Sequence, residues 1–251
     1  MKPLGLSLII FLLVAGGIVL GIVLRRALPQ KHLSKDAQDV VRLGIGLIAT
    51  IAGLVLGLLI AAAKNSFDTK SGQVTQITAD IILLDALLAQ YGPEADPIRK
   101  QMRSVIGPLV ERIWHDSNAS KSAPFAPSAS AEQIYFAIQS MAPSNNLQRV
   151  LQERAAQIST DATRLRLLLF VEANNSIPGP FLAVLVFWLI IIFASFSLFS
   201  DMNATVLISL CTFALSASAA IYLILELNDP FTGLMSISNQ PLLNALSPLS
   251  S

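Results

Sequence analysis

Four apolar runs without a charged side chain constrain this chain more than any other feature. They cover residues 4–24, 43–63, 181–200 and 204–225, each 20 to 22 residues long. A helix of about 20 residues crosses the roughly 30 Å of hydrocarbon in a bilayer. The first run follows Lys2, as in a signal peptide, but its length and the following Arg25 and Arg26 favour a retained span. We therefore predict an all-α integral membrane protein with four transmembrane helices.

The charges that the chain does carry exclude several classes of function. Charged residues make up 13% of the chain and hydrophobic residues 53%, and the net charge is only +1. Nucleic-acid binding needs an excess of clustered Lys and Arg, so we expect no nucleic acid partner. Cys211 is the single cysteine and only His32 and His115 accompany it, so we expect neither disulfides nor a Cys/His metal site. We expect no cofactor. We expect the lipid bilayer to surround the spans.

Residues 65–175 have ordinary polarity and separate the second span from the third. Their apolar spacing predicts a helical extramembrane domain. We expect four helices: one that ends at Gly92-Pro93, one from about Glu94 past Gly107-Pro108 to Trp114, one over 130–141, and one from a cap at Asn146 to about Ala173. We also expect a mobile loop at 117–130 and a break at 177–180. The chain thus divides into transmembrane helices one and two (1–64), this domain (65–175), a transmembrane hairpin (176–226) and a tail (227–251).

The third and fourth spans are joined by residues 201–203 alone. Such a short connection predicts an antiparallel hairpin whose helices contact each other, with Asp201 and Asn203 supplying the turn and a helix cap. Trp188 lies in mid-span, so we expect it to pack against a neighbouring helix rather than join an aromatic belt.

The short loops predict an orientation. Basic residues next to spans resist translocation, which places the first loop in the cytoplasm and the 65–175 domain and both termini outside. Four basic residues also flank the membrane edges of that domain, so the sidedness stays open. The first loop holds Arg25, Arg26, Lys31, Lys35 and Arg42, and the domain edges hold Lys64, Lys70, Arg164 and Arg166.

The second span carries small residues along one helical face. Gly46, Thr50, Gly53 and Gly57 recur at steps of four, three and four, with Asp39, Arg42, Ala61 and Lys64 continuing the face at both ends. Close helix packing through the Gly53-x-x-x-Gly57 pattern is one interpretation. The other is that the face lines a conduction path with Thr50 as its hydroxyl and charges at both mouths.

Two further patterns predict close helix contacts. Gly17 and Gly21 in the first span form a small-x-x-x-small patch. In the fourth span, a stripe of hydroxyl side chains can bond to backbone carbonyls or to another helix; it consists of Thr205, Ser209, Thr212 and Ser216.

No charged residue lies inside a span, which argues against proton pumps and voltage sensors because these need buried ionisable groups. His115 and Asp116 are adjacent, so on a helix their side chains point about 100° apart and make a poor catalytic dyad. The sequence contains no G-x-S-x-G, phosphate-loop or H-E-x-x-H motif. We predict that the protein is not an enzyme.

Several segments together resemble a family of bacterial membrane proteins with a bestrophin-like domain. They are HLSKDAQDVVRLG at 32–44, SFDT at 66–69, LLD at 83–85, YGPE at 91–94 and LELNDPF at 225–231. The resemblance implies a multi-pass protein of the bacterial inner membrane and a homo-oligomer, a pentamer in bestrophins. It also implies an ion channel lined by the second span, with the domain between spans two and three in the cytoplasm, against the charge count.

The chain also departs from bestrophins. Residues 43–63 contain no aromatic side chain, so a narrow neck here could be built only from Ile, Leu and Val. Glu226 and Asp229 after the last span offer too few oxygens for calcium, which takes about 6 to 8. The resulting hypothesis is an oligomeric, passive ion channel, for anions, with Asp39, Arg42, Lys64, Glu226 and Asp229 as pore-mouth or family-motif charges. The alternative is a membrane-anchored helical interaction or scaffold protein without transport.

Overall fold

The computed structural model describes residues 3–29, 35–114, 129–173, 179–231 and 233–241. Four of its helices are long and apolar enough to cross a membrane, which confirms the predicted class. Of the predicted loop at 117–130, residues 117–128 lie outside the described residues and 129–130 belong to a helix; of the predicted break at 177–180, residues 177–178 lie outside them and 179–180 begin a helix. The helices are α1 (Pro3–Ala27), α2 (Lys35–Tyr91), a 3-10 turn (Pro93–Ala95), α3 (Asp96–Trp114), α4 (Ala129–Gln139), α5 (Asn146–Ala173), α6 (Gly179–Phe199) and α7 (Ala204–Leu227).

The described residues form two compact units. The membrane unit contains α1, α2 up to Ser66, α6 and α7. The second unit contains α2 from Phe67, then α3, α4, α5 and the segment after Asn228.

Helix α2 joins what the sequence pattern shows as two segments, the second span and the first helix of the insert. The helix continues without a break from Lys35 to Tyr91. The charges that follow Ala63 end the apolar run but not the helix, because Lys and Asp interrupt helices far less than Pro does. It ends as predicted at Gly92, whose φ of +122° lies in the region that favours glycine.

The membrane unit is built on a close contact between α1 and α6. An added Cβ at Gly17 would lie 3.0 Å from the Ile190 carbonyl oxygen, and one at Gly21 would collide with the Ala194 carbonyl oxygen and the Ser197 hydroxyl. The buried Ser197 hydroxyl is 2.9 Å from the Ile18 carbonyl oxygen, to which it can donate across the two helices. The predicted close packing at Gly17 and Gly21 is confirmed, and its partner is α6.

Helices α6 and α7 follow each other through the predicted short turn. The Asn203 side chain accepts a hydrogen bond from the Val206 amide at 2.9 Å, which confirms the predicted cap. The contact between the two helices is smaller than their short connection suggests: each packs closely against α1 and much less against the other. The glycines of α1 explain this, since they let α1 approach α6 more closely than a helix of large side chains could.

Two side chains complete the membrane unit. Trp188 is half-buried against the hydrophobic core that α1, α2, α6 and α7 share, as predicted. Arg25 at the end of α1 forms an ion pair with Asp201 in the turn between α6 and α7. The ends of α1 and α6 therefore lie together.

The second unit has its own hydrophobic core, formed by α2, α3, α4 and α5. Leu88, Met102, Ile138 and Ala155, one from each helix, are almost completely buried there. Arg99 on α3 makes two hydrogen bonds to the Asp85 carboxylate on α2, at 2.7 and 3.0 Å. This bidentate, half-buried pair fixes α3 against α2 after the turn at Gly92.

Helix α5 is capped one residue earlier than predicted. The Asn145 side chain, not that of Asn146, accepts the hydrogen bond from the Gln148 amide, at 2.8 Å. The Gln148 side chain in turn accepts from the Ser144 amide and donates to the Tyr91 carbonyl oxygen, at 2.7 and 3.0 Å. By residue type, either of the two adjacent asparagines could cap the helix. The side-chain contacts of Gln148 with Ser144 and Tyr91 accompany the cap at Asn145 and distinguish it from Asn146.

Asp80 is a buried carboxylate on the α2 part of the second unit. The Gln76 amide donates to its Oδ1 at 3.0 Å, whereas Oδ2 is buried without a hydrogen-bond partner. Burial raises the pKa of Asp80 above its ordinary value; the bond from Gln76 opposes this rise, and the negative charge of Asp161 on α5 adds to it.

We expect Asp80→Asn to raise the thermal midpoint of the detergent-solubilised protein at pH 7. The raised pKa means that the folded state binds the proton more tightly than the unfolded state, so the ionised carboxylate lowers stability as the pH rises above its ordinary pKa. The gain should shrink as the pH approaches 4. Asp161→Asn, at an exposed position, is the control with a smaller gain, and a lower midpoint for Asp80→Asn at pH 7 would contradict this account.

Candidate functional face of helix α2

One side of the α2 span faces the rest of the membrane unit. Ile45 and Ala52 are buried in its hydrophobic core, and Val41, Ile48, Leu56 and Leu59 pack partly against it. These residues recur at steps of three and four, so they form one helical stripe. The span is therefore anchored to its own chain along a single side.

The predicted stripe of small residues lies on another side of α2. Gly46, Thr50, Gly53 and Gly57 are all exposed. At the three glycines, an added Cβ would meet no atom within 4 Å apart from the helix's own backbone. The structure thus brings these four residues together on one face, and no other part of the described chain packs against it.

Thr50 satisfies its hydroxyl within its own helix. Its Oγ donates to the Gly46 carbonyl oxygen at 2.8 Å. A threonine with this bond needs no partner helix to bury its polar group in a membrane. The bond therefore leaves the face free to border water, lipid or another subunit.

Charged side chains lie at both ends of the stripe. Arg42 is 3.9 Å from Asp39, and both side chains are 73% exposed, so this predicted pair is long and weak. Lys64, at the other end of the span, is also exposed. A cation therefore precedes and a cation follows the charge-free part of the helix.

The other predicted charges lie at the end of α7 and directly after it. Glu226 is in the last turn of α7 and its residue is only 2% exposed. Asp229 follows α7 and is half-buried. Neither residue belongs to α2, and the burial of Glu226 does not suit an exposed pore mouth.

The hydroxyl stripe of α7 makes few contacts within the chain. Thr205, Thr212 and Ser216 are exposed, and Thr212 donates to the Ile208 carbonyl oxygen of its own helix at 2.9 Å. The expected bonding to backbone carbonyls is therefore seen at Thr212. The buried serine of this helix is instead Ser218, which lies outside the predicted stripe.

The segment after α7 packs onto the second unit through a contact that sequence reasoning missed. The Trp114 indole donates to the Ile237 carbonyl oxygen at 2.7 Å and meets the Phe231 ring edge-to-face, with centroids 5.7 Å apart. Ile237 is buried beside Val74 and Leu169. The Asp-Pro-Phe segment noted in the sequence thus ends in a side chain that holds the tail.

The residues described include no group of side chains suited to a metal centre. Within 3–29, 35–114, 129–173, 179–231 and 233–241, no three His, Cys, Asp or Glu side chains are grouped so as to hold a metal ion. Four long apolar helices and a helical insert define the chain as a multi-pass α-helical membrane protein.

The sequence of the chain also matches a known protein family. The profile of the bestrophin-like domain family matches residues 11–242, so the chain belongs to the bestrophin-like family, as the sequence resemblance indicated. No curated protein sequence matches the chain significantly.

Solved structures share its fold. A variant of the bacterial bestrophin homologue from Klebsiella pneumoniae matches with a TM-score of 0.71 at 14% identity, covering 100% of this chain and 99% of that one. A second variant of that homologue gives 0.69 at 14% identity over 97% and 99% of the two chains. A variant of a crystallised membrane protein gives 0.66 at 12% identity over 96% and 99%.

Proposed function

We propose that this chain is one subunit of an oligomeric channel that passes small ions passively across the bacterial inner membrane. The exposed stripe of α2 carries the proposal. This helix packs against its own chain on one side, and its glycine stripe, centred about 130° away around the helix, meets no other part of the described chain. A ring of copies with these stripes turned inward would enclose a path lined by Gly46, Thr50, Gly53 and Gly57.

The residues along this path favour passive flow. The span from 43 to 63 holds no ionisable side chain, so no side chain within it can act as a proton relay. Isoleucine, leucine and valine next to the stripe are the side chains that could narrow the path and gate it by excluding water.

The charges at the two ends favour anions. Arg42 and Lys64 are exposed at opposite ends of the charge-free span, and each copy in a ring adds one of each. Rings of Arg or Lys attract anions and repel cations at a pore mouth. Asp39 offsets Arg42 only weakly, because the pair is long and solvent-exposed.

Two features of the relatives support the assembly. The chain belongs to the bestrophin-like family over residues 11–242, and bestrophins, which it resembles, form pentamers. We therefore propose a homo-pentamer. A membrane-anchored scaffold without transport is the competing function, and it would leave the glycine stripe facing lipid or a partner protein.

Reconstitution tests the proposal. The purified protein should have the mass of an oligomer in detergent and, in liposomes with a potassium chloride gradient, should pass chloride more readily than potassium without any energy source. The sign of the reversal potential reports this preference. A monomer that carries no ion flux would overturn the channel and favour the scaffold.

A further inference from the structure

Two hydrogen bonds fix how α5 lies along α2 in the second unit. The Gln73 amide donates to both oxygens of the Glu172 carboxylate at 3.1 Å. Further along α2, the Tyr91 carbonyl oxygen accepts from the Gln148 side chain at 3.0 Å. The two helices are therefore antiparallel, and interpolation between these bonds places Asp80 opposite about residue 162 of α5.

Two acidic side chains thus meet in the contact between α2 and α5. Asp80 is only 8% exposed, and Gln76 donates to its Oδ1, but its Oδ2 is buried without a hydrogen-bond partner. Asp161 on α5 adds a negative charge close to it. A buried carboxylate needs donors or a cation to offset its lost hydration. The closed contact therefore suits Asp80 as a neutral carboxyl group better than as an anion.

The other charged groups of α3 and α5 do not offset this burial. Those at or near the level of Asp80 by helical position are Arg103 of α3 and Arg164, Arg166 and Glu172 of α5. Among the described residues no arginine donates to the Asp80 carboxylate, and arginine stays protonated in proteins. The bond from Gln73 to Glu172 weakens when Glu172 is protonated, so that group would loosen α5 at low pH rather than at high pH.

The apolar contacts on the two sides of Asp80 are unequal. Towards the end of α2, both helices contribute to the large core of the second unit. The buried residues there are Leu84 and Leu88 of α2 and Leu151, Ala155, Ala156 and Ile158 of α5. In the other direction, Val74 of α2 and Leu169 of α5 are buried beside Ile237 in a smaller cluster. Because stabilisation grows with the buried apolar area, the later part of α5 is held less strongly.

We propose that the part of α5 after Asp161 separates from α2 when the carboxyl group of Asp80 releases its proton. The proton passes to bulk water, and water that enters the opened contact donates to the Oδ2 atom that has no donor in the closed contact. This opening is confined to the second unit, so it does not depend on ion flux.

The direction of the pH dependence follows from the burial of Asp80. Burial raises its pKa above the ordinary 3.8, the bond from Gln76 opposes this rise, and the charge of Asp161 adds to it. The closed contact therefore binds the proton more tightly than the open one. The open fraction should increase as the pH rises from about 4, and should level off once the pH exceeds the raised pKa.

Hydrogen exchange of the full-length protein in detergent, followed by mass spectrometry, tests the proposal. Each exchange rate is divided by the intrinsic rate at the same pH, which gives a protection factor. Between pH 4.5 and 7.5, protection of residues 162–172 should fall by roughly threefold or more, because opening follows the ionisation of one group. Residues 148–158 of the same helix, next to the large core, are the internal reference and should change by less than about twofold.

Three variants identify the responsible group. Asp80→Asn is neutral at every pH, so its protection at pH 7.5 should equal that at pH 4.5. Asp161→Asn removes the facing charge and should reduce the fall. Glu153→Gln, at an exposed position of α5, makes the same charge change away from the contact and should behave as wild type.

A wild-type protein whose protection at 162–172 does not fall, or falls equally at 148–158, would overturn the proposal. A fall that persists in Asp80→Asn would overturn it as well. If Asp80→Asn does not fold, Asp161→Asn decides, because a fall equal to that of wild type in this variant excludes the pair of carboxylates as the cause.

Discussion

Replacing Gly21 with alanine is expected to destabilise the membrane unit more than the same change at any other described glycine of that unit. The new Cβ would collide with the Ala194 carbonyl oxygen and the Ser197 hydroxyl. The carbonyl is part of the α6 backbone and cannot rotate away, and Ser197 is held by its bonding to α1. The two helices must therefore separate, which lowers the free energy of unfolding by about 1 to 3 kcal/mol.

Gly16 provides the matched control on the same helix. It is exposed, and an added Cβ there would meet nothing within 4 Å. Gly16→Ala changes the unfolded chain in the same way as Gly21→Ala, so the difference between the two variants isolates the contact with α6. Thermal unfolding in detergent, followed by size-exclusion chromatography, measures it. Equal midpoints for the two variants would contradict the close packing of α1 on α6.

Replacing Gly53 with tryptophan is expected to abolish ion flux while leaving the protein folded. The position is exposed, and nothing in the described chain outside its own helix lies within 4 Å of an added Cβ, so we expect a subunit to fold with the larger side chain. In a ring of copies, however, one indole from every subunit would enter the same section of the path. We expect a loss of flux of at least tenfold at unchanged oligomeric mass, measured in liposomes.

Gly44→Trp is the control for this variant. Gly44 is also exposed with nothing within 4 Å of an added Cβ, but it lies about 160° around α2 from Gly46 and so points away from the proposed axis. It should leave the flux within about twofold of wild type. Equal flux through the Gly53 and Gly44 variants, with both assembled, would exclude the glycine stripe from the path.

The class of fold could be predicted from the sequence because membrane spans are marked by charge-free length. The continuity of α2 could not, because the apolar run ends at Ala63 although the helix continues to Tyr91. Ile45 and Ala52 face the membrane unit, whereas Val74 and Leu88 face the second unit. A period of 3.6 residues shows that each part is helical, but charges between the parts end the hydropathy signal whether or not the helix ends.

Contacts between distant residues were the least predictable. The small residues Gly17 and Gly21 indicated a close approach, but their spacing does not say which helix approaches. The short turn at 201–203 favoured packing of α6 against α7, and the structure places α1 against both. The bond from Trp114 to the Ile237 carbonyl oxygen joins residues 123 positions apart, and no local pattern carries such a contact.

The sequence predicted that the candidate site residues share one side of a helix, but not that this side is exposed. Spacing alone places Gly46, Thr50, Gly53 and Gly57 on one side of a helix. It does not distinguish a face that packs within the chain from one that remains exposed, because small residues suit both. The exposure of the glycines required the structure. The burial of Glu226 likewise depends on how the end of α7 packs.

The most direct test of an ion path lined by α2 is the water accessibility of Thr50 in the assembled protein. A Thr50→Cys, Cys211→Ser protein in liposomes would be treated with a charged, sulfonate-bearing methanethiosulfonate while ion flux is recorded. If α2 lines the path, the introduced thiol reacts from the aqueous phase and its reaction stops the flux, with no effect in Cys211→Ser alone. A thiol that does not react, or that reacts without changing the flux, would contradict a path lined by α2.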